Sequence, residues 1–222
     1  MGFIVAVDGP AGSGKGTITK IIAKKKNLVS IDTGAMYRCV ALDCLNKNVV
    51  DTELEKIEKI LENIKIELKI ENEMQRVYLN GEDVTEEIRT TKVDDVVAKF
   101  AAIKIVRDKV TPMQRKMGET QNIIMEGRDI GTVVFPNADV KIFLDCSVEE
   151  RARRRYKQNI ESGIASSYEE ILENIKERHR LETERDVAPF IKADDAIYID
   201  SSNLTIEQVV EKISVIIDEA SR

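Results

Sequence analysis

The chain has 222 residues, enough for one well-buried core with a small inserted unit and too few for two full domains. Its formal net charge is −6, aromatic residues make up 5% and tryptophan is absent. This composition argues against a nucleic-acid polymer as partner, because such binding depends on neutralised phosphates and stacking rings. Three cysteines without a CxxC pair, together with a single histidine, argue against a zinc site or a disulfide framework.

The chain begins with a short apolar run that differs from a targeting segment. Phe3 to Val7 has no basic segment before it and is too short for a signal peptide or a membrane span. The Met-Gly start lacks the Ser or Thr at the sixth position that a myristoylation motif requires. We therefore expect a cytoplasmic protein with no membrane partner.

Strand and helix patterns alternate along the chain. Phe3 to Val7 is the kind of apolar run found in a strand buried on both faces, and a Gly-rich loop and a helix starting near Lys15 follow it. Further strands are predicted at 28–31, 122–125, 140–144 and 196–199, and helices at 36–45, 53–63, 147–160, 168–185 and 206–217, with helical spacing over 93–117. Such alternation predicts a parallel, doubly wound α/β sheet.

One segment breaks the alternation. Ile64, Ile66, Leu68 and Ile70 alternate with charged residues, and Asn80-Gly81 is a strong hairpin turn signal. We predict a small antiparallel β insertion over 64–90, with a core formed by 1–63 and 91–222.

The loop after the first strand fits a Walker A motif, G-x-x-x-x-G-K. Its residues are Gly9, Pro10, Ala11, Gly12, Ser13, Gly14, Lys15, Gly16 and Thr17, with glycine in the usual Ser/Thr position and threonine one residue later. Backbone N–H groups of such a loop surround phosphate oxygens at a helix N-terminus, and the lysine adds a mobile positive charge. The motif predicts binding of a nucleoside triphosphate, but it does not identify what accepts the phosphoryl group.

Arginines indicate a phosphorylated acceptor. Transfer between two anionic groups requires fixed positive charge, which a guanidinium supplies in a planar, always protonated form. Arg128 stands directly after a buried strand, where open α/β sheets place ligands. The segment 151–155 contains four arginines and fits either a lid over ATP or a solvated basic face. The other candidates are Arg38, Arg107, Arg178 and Arg185, for each of which a surface ion pair is the alternative.

The ordered motifs GPAGSGKGT, IDTGAMYR, EGRDIGT, the Arg-rich helix after VKIFLDCS, and IKERHRLETERDVAP resemble bacterial cytidylate kinases over nearly the whole length. The resemblance implies a five-stranded parallel core, an insertion belonging to a monophosphate-binding domain, and a short helical lid over ATP at about 150–166. It implies ATP, CMP and dCMP as small-molecule substrates and Mg²⁺ as cofactor. We expect a monomer.

The resemblance also implies residue roles. Lys15, Arg128 and Arg154 would be catalytic, and the whole loop from Gly9 to Thr17 would bind ATP together with Arg151, Arg154 and Arg155. Thr17 and Glu126 would hold Mg²⁺ through water. The CMP site would comprise Thr33, Tyr37, Arg38, Arg107, Arg128, Asp129, Arg178, Glu182 and Arg185, of which Arg38, Arg128 and Arg185 would hold the phosphate and Arg178 and Glu182 would contact the ribose.

Arg107 and Asp129 would read the base in this scheme. Cytosine offers an amine to a carboxylate and acceptors to a guanidinium, whereas uracil presents a carbonyl to the same carboxylate. The chain departs from the family at Ala98, where a serine is common, and at His179 and Glu182, where aspartates are common. These departures leave open the selectivity for C over U and the choice between ribose and deoxyribose.

The sequence thus predicts ATP-dependent phosphorylation of CMP. A kinase for another small acceptor, such as UMP or shikimate, would keep Lys15 without the pairing of Arg107 with Asp129. A nucleotide-dependent switch or binding module would hold ATP without acceptor-dependent turnover. A polynucleotide kinase is disfavoured by the net negative charge.

Overall fold

A computed structural model describes residues 2–71, 74–161 and 163–221 of the chain. The strands are β1 (Ile4–Asp8), β2 (Val29–Asp32), β3 (Ile66–Glu71), β4 (Met74–Leu79), β5 (Glu82–Asp83), β6 (Ile123–Gly127), β7 (Val140–Asp145) and β8 (Ile197–Asp200). The helices are α1 (Lys15–Lys26), α2 (Gly34–Asn46), α3 (Leu54–Asn63), α4 (Thr91–Ala102), α5 (Lys104–Met117), α6 (Val148–Glu161), α7 (Tyr168–Glu184) and α8 (Ile206–Ala220). A short 3₁₀ turn at Glu87–Arg89 and a π-helical turn at Ile130–Val134 complete the described elements.

The larger sheet has five parallel strands in the order β2-β6-β1-β7-β8. Val5 and Val7 of the central strand pack with helices α1 and α8 on one face, and Ile4 and Ala6 pack with the π-helical turn on the other. Burial on both faces explains why β1 reads as an unbroken apolar run. The prediction of a doubly wound, five-stranded parallel sheet is confirmed.

The smaller sheet is antiparallel and has the order β3-β4-β5. Asn80 and Gly81 form the turn between β4 and β5 with φ values of 53° and 92°, the left-handed backbone that these residue types tolerate best. Its buried side packs with α2, α3, α4 and α5 through residues such as Val77 and Leu79. The predicted antiparallel insertion is therefore present, while the boundaries at 64 and 90 stay a prediction.

Two features differ from the sequence-based prediction, namely a break within the helix predicted over 93–117 and a π-helical turn at Ile130–Val134. The spacing over 93–117 predicts continuous helix, but Ile103 is extended (φ −75°, ψ 125°) and separates α4 from α5. The π-helical turn after β6 carries no turn signal in the sequence. Ile103 packs against the cluster that includes the insertion, and Ile130 and Val134 pack on the sheet, and local propensity does not encode such contacts.

Helices α6 and α7 form an antiparallel hairpin, called here the lid hairpin, that packs through Ala152, Ile171 and Ile175. It occupies the predicted lid region and extends beyond it. Among the helices that the structure describes, none combines the length and the hydropathy that crossing a bilayer requires.

Candidate active site

The phosphate-binding loop lies at the carboxyl end of the central strand, between β1 and α1. Gly12 and Gly14 have φ values of 81° and 91°, and Gly14 stands directly before the helix. A Cβ at Gly9 would lie 2.1 Å from the carbonyl oxygen of Leu144, so no larger residue fits there. Gly12 and Gly14 thus allow the left-handed backbone, and Gly9 allows the loop to approach strand β7 closely.

Lys15 is buried within this loop, with 5% of its surface exposed. Its Nζ donates to the carbonyl oxygens of Gly9 (2.7 Å) and Pro10 (2.8 Å). Burial, followed by the positive charge of Arg128, lowers the pKa of Lys15 to about 7. An anionic phosphate beside the ammonium would counter both effects, so the loop is suited to an anion that arrives with the substrate.

Two arginines of the lid hairpin contact the loop. Arg151 is buried and donates to the carbonyl oxygens of Cys146 (3.0 Å) and Ala11 (3.4 Å). Arg154 donates to the carbonyl oxygens of Ser13 (3.3 Å) and Ser201 (2.9 Å). Helix α6 therefore faces the phosphate loop with Arg151 and Arg154, while its role as a lid over ATP stays a prediction.

Asp8 joins the loop to the segment that follows β6. Its carboxylate accepts the backbone N–H groups of Ile130 and Gly131, each at 2.8 Å, and burial raises its pKa to about 6. The sequence analysis missed this residue, although a carboxylate at the end of a buried strand is an available signal. Asp8 fixes the segment that carries Arg128 and Asp129 relative to the ATP side.

The carboxylate of Glu126 lies beside the start of α1. A Cβ built on Gly16 would be 3.0 Å from Oε1 of Glu126, which places this carboxylate at the loop. Burial, followed by the negative charge of Asp32, raises the pKa of Glu126 to about 7. Thr17 is exposed on the first turn of the helix. Within the described residues no three His, Cys, Asp or Glu side chains converge as a metal group, so a divalent ion here would need the oxygens of a bound nucleotide.

Arg128 and Arg178 share one buried carboxylate. Glu182 is 5% exposed and accepts Nε of Arg128 at 2.8 Å and Nε of Arg178 at 3.0 Å. Although burial alone would raise its pKa, these two guanidiniums lower the pKa of Glu182 to about 2. Glu182 is therefore ionised and holds two predicted acceptor arginines in fixed positions.

A second buried carboxylate, Asp129, lies between Arg107 and Arg185. Arg107 donates to Asp129 through Nη2 and to the carbonyl oxygen of Ala101 (3.1 Å), and Arg185 Nη2 lies 3.9 Å from Asp129 Oδ1. The ring of Tyr37 faces Arg107, with 5.2 Å between the ring centroid and Cζ. Among the described residues, Arg185 Nη2 has no hydrogen-bond partner although it is buried. Unsatisfied buried groups of this kind are typical of a site that binds a polar ligand.

The third shared carboxylate is Asp94, on the first turn of α4. It accepts Arg38 Nη2, and Arg38 Nη1 donates to the carbonyl oxygen of Ile88 at 3.0 Å. Arg155 of the lid hairpin donates to the same carboxylate at 2.9 Å, and Arg178 lies 4.0 Å from it. Arg155 thus points away from the phosphate loop, unlike Arg151 and Arg154, and its predicted contact with ATP stays a prediction.

The remaining predicted residues lie around these groups. Thr33 donates its hydroxyl to the carbonyl oxygen of Glu126 at 2.7 Å. The ring of His179 meets the ring of Phe190 edge-on, with centroids 5.8 Å apart. Ala98 is half-buried, while Lys99 is exposed.

Ser201 was missed by the sequence analysis. Its hydroxyl donates to the carbonyl oxygens of Ser13 (3.3 Å) and Asp145 (2.9 Å), which fixes the phosphate loop from the end of strand β8.

The predicted acceptor arginines therefore belong to one region. Arg38 and Arg178 share Asp94, Arg178 and Arg128 share Glu182, and the charge of Glu182 also acts on Arg185. The same region reaches the phosphate loop, since Arg128 acts on Lys15. Fixed positive charge next to a nucleoside triphosphate loop can neutralise a second phosphorylated molecule.

The chain matches a family model and curated relatives over nearly its whole length. The family model described as "Cytidylate kinase" matches residues 5–219. The chain is 50% identical to the cytidylate kinase of Fusobacterium nucleatum over 212 residues, which cover 96% of this chain and 95% of the relative. It is 45% identical to the cytidylate kinase of Bacillus subtilis over 218 residues, covering 98% of this chain and 97% of the relative.

A solved structure shows the same fold at low sequence identity. An uncharacterised protein from Eubacterium ventriosum superposes with a TM-score of 0.54 and 13% identity, covering 97% of this chain and 98% of that one. That likeness concerns the fold alone. The family match over nearly the full length and the two relatives above establish that this chain belongs to the cytidylate kinase family.

Proposed function

We propose that this protein transfers the γ-phosphoryl group of ATP to the phosphate of CMP, and also of dCMP, giving ADP and CDP or dCDP. Membership of the family makes it an ATP-dependent nucleoside monophosphate kinase. The observation that carries the choice of acceptor is the buried pairing of Arg107 with Asp129 beside Tyr37.

The loop from Gly9 to Thr17 binds the phosphates of ATP in this proposal. Its backbone N–H groups and the N-terminus of α1 hold the phosphate oxygens, and Lys15 moves from the loop carbonyls to the β- and γ-phosphates. Arg151 and Arg154 cover the loop from the lid hairpin, where their guanidiniums already contact its carbonyls. Charge that develops on the transferred group is neutralised by Lys15, Arg128 and Arg154.

Arg38, Arg128 and Arg185 hold the acceptor phosphate. Each is oriented by a carboxylate or a carbonyl: Arg38 by Asp94, Arg128 by Glu182, and Arg185 by the carbonyl oxygen of Ala188 at 2.6 Å. The phosphate oxygen that attacks is ionised at neutral pH, so no separate general base is required. Thr33 and Tyr37 line this pocket, and Arg178 with Glu182 meets the ribose.

The base lies against Asp129 and Arg107. The carboxylate accepts the exocyclic amine of cytosine, and the guanidinium donates to O2 and N3. Uracil would place a carbonyl oxygen against the buried carboxylate of Asp129. The carboxylate would then lack a donor, so binding of UMP is strongly disfavoured. Ala98 contributes no hydroxyl, so selectivity depends on this pair.

Mg²⁺ accompanies ATP in the proposal. Glu126 and Thr17 fit it, because hard oxygen donors at the start of α1 lie where the phosphates would be, and a carboxylate with a raised pKa gains from a nearby cation. When bound, the ion supplies positive charge to the β- and γ-phosphates. We further propose a monomeric enzyme that acts on small molecules.

Steady-state assays with ATP, Mg²⁺ and a panel of acceptors test the proposal. ADP release should depend on CMP or dCMP and be far slower with UMP, AMP or shikimate. Turnover of UMP or shikimate above CMP would replace the proposed acceptor. ATP binding with no acceptor-dependent ADP release would favour a nucleotide-dependent switch.

A further inference from the structure

Asp94 is the meeting point of three cations from three different helices. Arg38 comes from α2, Arg155 from α6 and Arg178 from α7, and Asp94 itself lies on α4. None of the sequence motifs identified this residue. Its side chain is 20% exposed, and that of Arg38 is 13% exposed, so the pair is largely shielded from solvent.

The three guanidiniums need this carboxylate to stay together. The positive charge of Arg178 acts on Arg38 and lowers its pKa, after the larger effect of burial, while Asp94 acts in the opposite direction. Arg89 is a further cation facing Arg38, and it is paired with Asp32 at 2.7 Å. Without Asp94 the like charges around Arg38 would repel one another with no anion between them.

The position of Asp94 also connects the two substrate sides. Arg151 and Arg154 of α6 contact the phosphate loop, whereas Arg155 of the same helix reaches across to α4. Arg178 of α7 also lies near Asp94, at 4.0 Å. Both helices of the lid hairpin therefore reach Asp94, and α7 has a second attachment to the acceptor side through the pair of Glu182 with Arg128.

We propose that Asp94 is a positioning residue that orients Arg38 for the acceptor phosphate and fastens the lid hairpin to the acceptor side through Arg155 and Arg178. This inference rests on the proposed function, since Arg38 is assigned there to the acceptor phosphate. In this proposal, Asp94 touches neither substrate. It couples the binding of the acceptor to the position of the lid hairpin over ATP.

Hydrogen exchange tests the lid contact without any nucleotide. In Asp94→Asn, which keeps the size of the side chain, amides of α6 and α7 should exchange at least about threefold faster, while those of α1 stay unchanged as an internal reference. Asp95→Asn is the matched control, because Asp95 is the exposed neighbour on the same helix turn. Arg155→Gln should raise exchange in α6, and combining it with Asp94→Asn should add little.

Kinetics test the effect on Arg38. Asp94→Asn should raise KM for CMP about tenfold, because Arg38 loses its orienting charge, and should raise KM for ATP less, because Arg151 and Arg154 keep their own contacts with the phosphate loop. Arg155→Gln should change KM for CMP less, since Arg38 keeps its partner. Asp94→Glu should restore part of the loss, which a purely structural role would not predict.

The outcomes separate this proposal from the proposed function. Equal lid exchange in Asp94→Asn and Asp95→Asn overturns the lid contact whatever the acceptor is. If the wild type phosphorylates CMP and Asp94→Asn has an unchanged KM for CMP, the orienting role is overturned while the proposed function stands. A wild type that does not use CMP overturns the proposed function, and with it the orienting role toward CMP, while the exchange experiment still decides the lid contact.

Discussion

The two halves of the site are built in different ways. The phosphate loop is continuous in sequence, and its backbone geometry follows from glycines between one strand and one helix. The proposed acceptor half is assembled from side chains of α2, α4, α5, α7 and the segment after β6, held together by Asp94, Glu182 and Asp129. The ATP half thus depends on local backbone shape, and the acceptor half depends on long-range charge pairs.

The largest effect is expected where the two halves meet. Lys15→Ala and Arg128→Ala should each lower kcat on the order of 10²- to 10³-fold, because both cations act on charge that develops in the transition state. Lys92→Ala, an exposed lysine on α4, is the control. Steady-state rates with saturating ATP and CMP measure the effect, and near-normal kcat in either variant would show that the two halves do not meet at these residues.

Base selectivity should be the next largest effect, and it concerns the acceptor half alone. Asp129→Asn replaces an acceptor-only group by an amide that can also donate, so the preference for CMP over UMP in kcat/KM should fall by about 10²-fold. KM for ATP should stay close to that of the wild type. An unchanged preference would place the base elsewhere in the site.

The sequence predicted more of the phosphate loop and of the fold than of the acceptor half. Gly9 to Thr17 and the alternation of strands and helices are local patterns, and the structure confirms the sheet that they predict. Asp8, Asp94 and Ser201 were missed because their partners are more than 40 residues away in sequence. The arginines of 151–155 left open a lid over ATP or a solvated basic face, and this choice stays a prediction, while Arg151 and Arg154 contact the loop and Arg155 contacts Asp94.

The next prediction concerns the ATP half and the contribution of Glu126 to the free energy of unfolding. The pKa of Glu126 is raised to about 7 by burial, so the folded state retains a proton that the unfolded chain loses above its ordinary pKa of about 4.3. The free energy of unfolding contributed by this group therefore falls as pH rises through that window. Glu126→Gln should be more stable than wild type at pH 8, and this gain in stability should disappear near pH 4, where the wild-type carboxyl is protonated in both states.

Urea denaturation at both pH values measures this difference. The same variant should lose activity, because the carboxylate proposed to orient the metal is gone. Higher stability together with lower activity would show that Glu126 serves function and lowers stability. A variant that is no more stable than wild type at pH 8 would contradict the buried, proton-retaining carboxylate.

The smallest expected effect is proton uptake on ATP binding. Lys15 has a pKa lowered to about 7, and bound phosphates should raise it, so ATP without metal should bind with uptake of up to about one proton at pH 8. Uptake should be smaller at pH 6, where the ammonium is already charged. Titration calorimetry in buffers of different ionisation enthalpy measures it, and Lys15→Ala should abolish the part that comes from this residue.

A crystal structure with CMP bound tests the central claim most directly. The account predicts the phosphate of CMP within hydrogen-bond distance of Arg38, Arg128 and Arg185, and the cytosine amine on Asp129. A phosphate that contacts none of these three arginines, or a base that lies away from Asp129, would contradict the account.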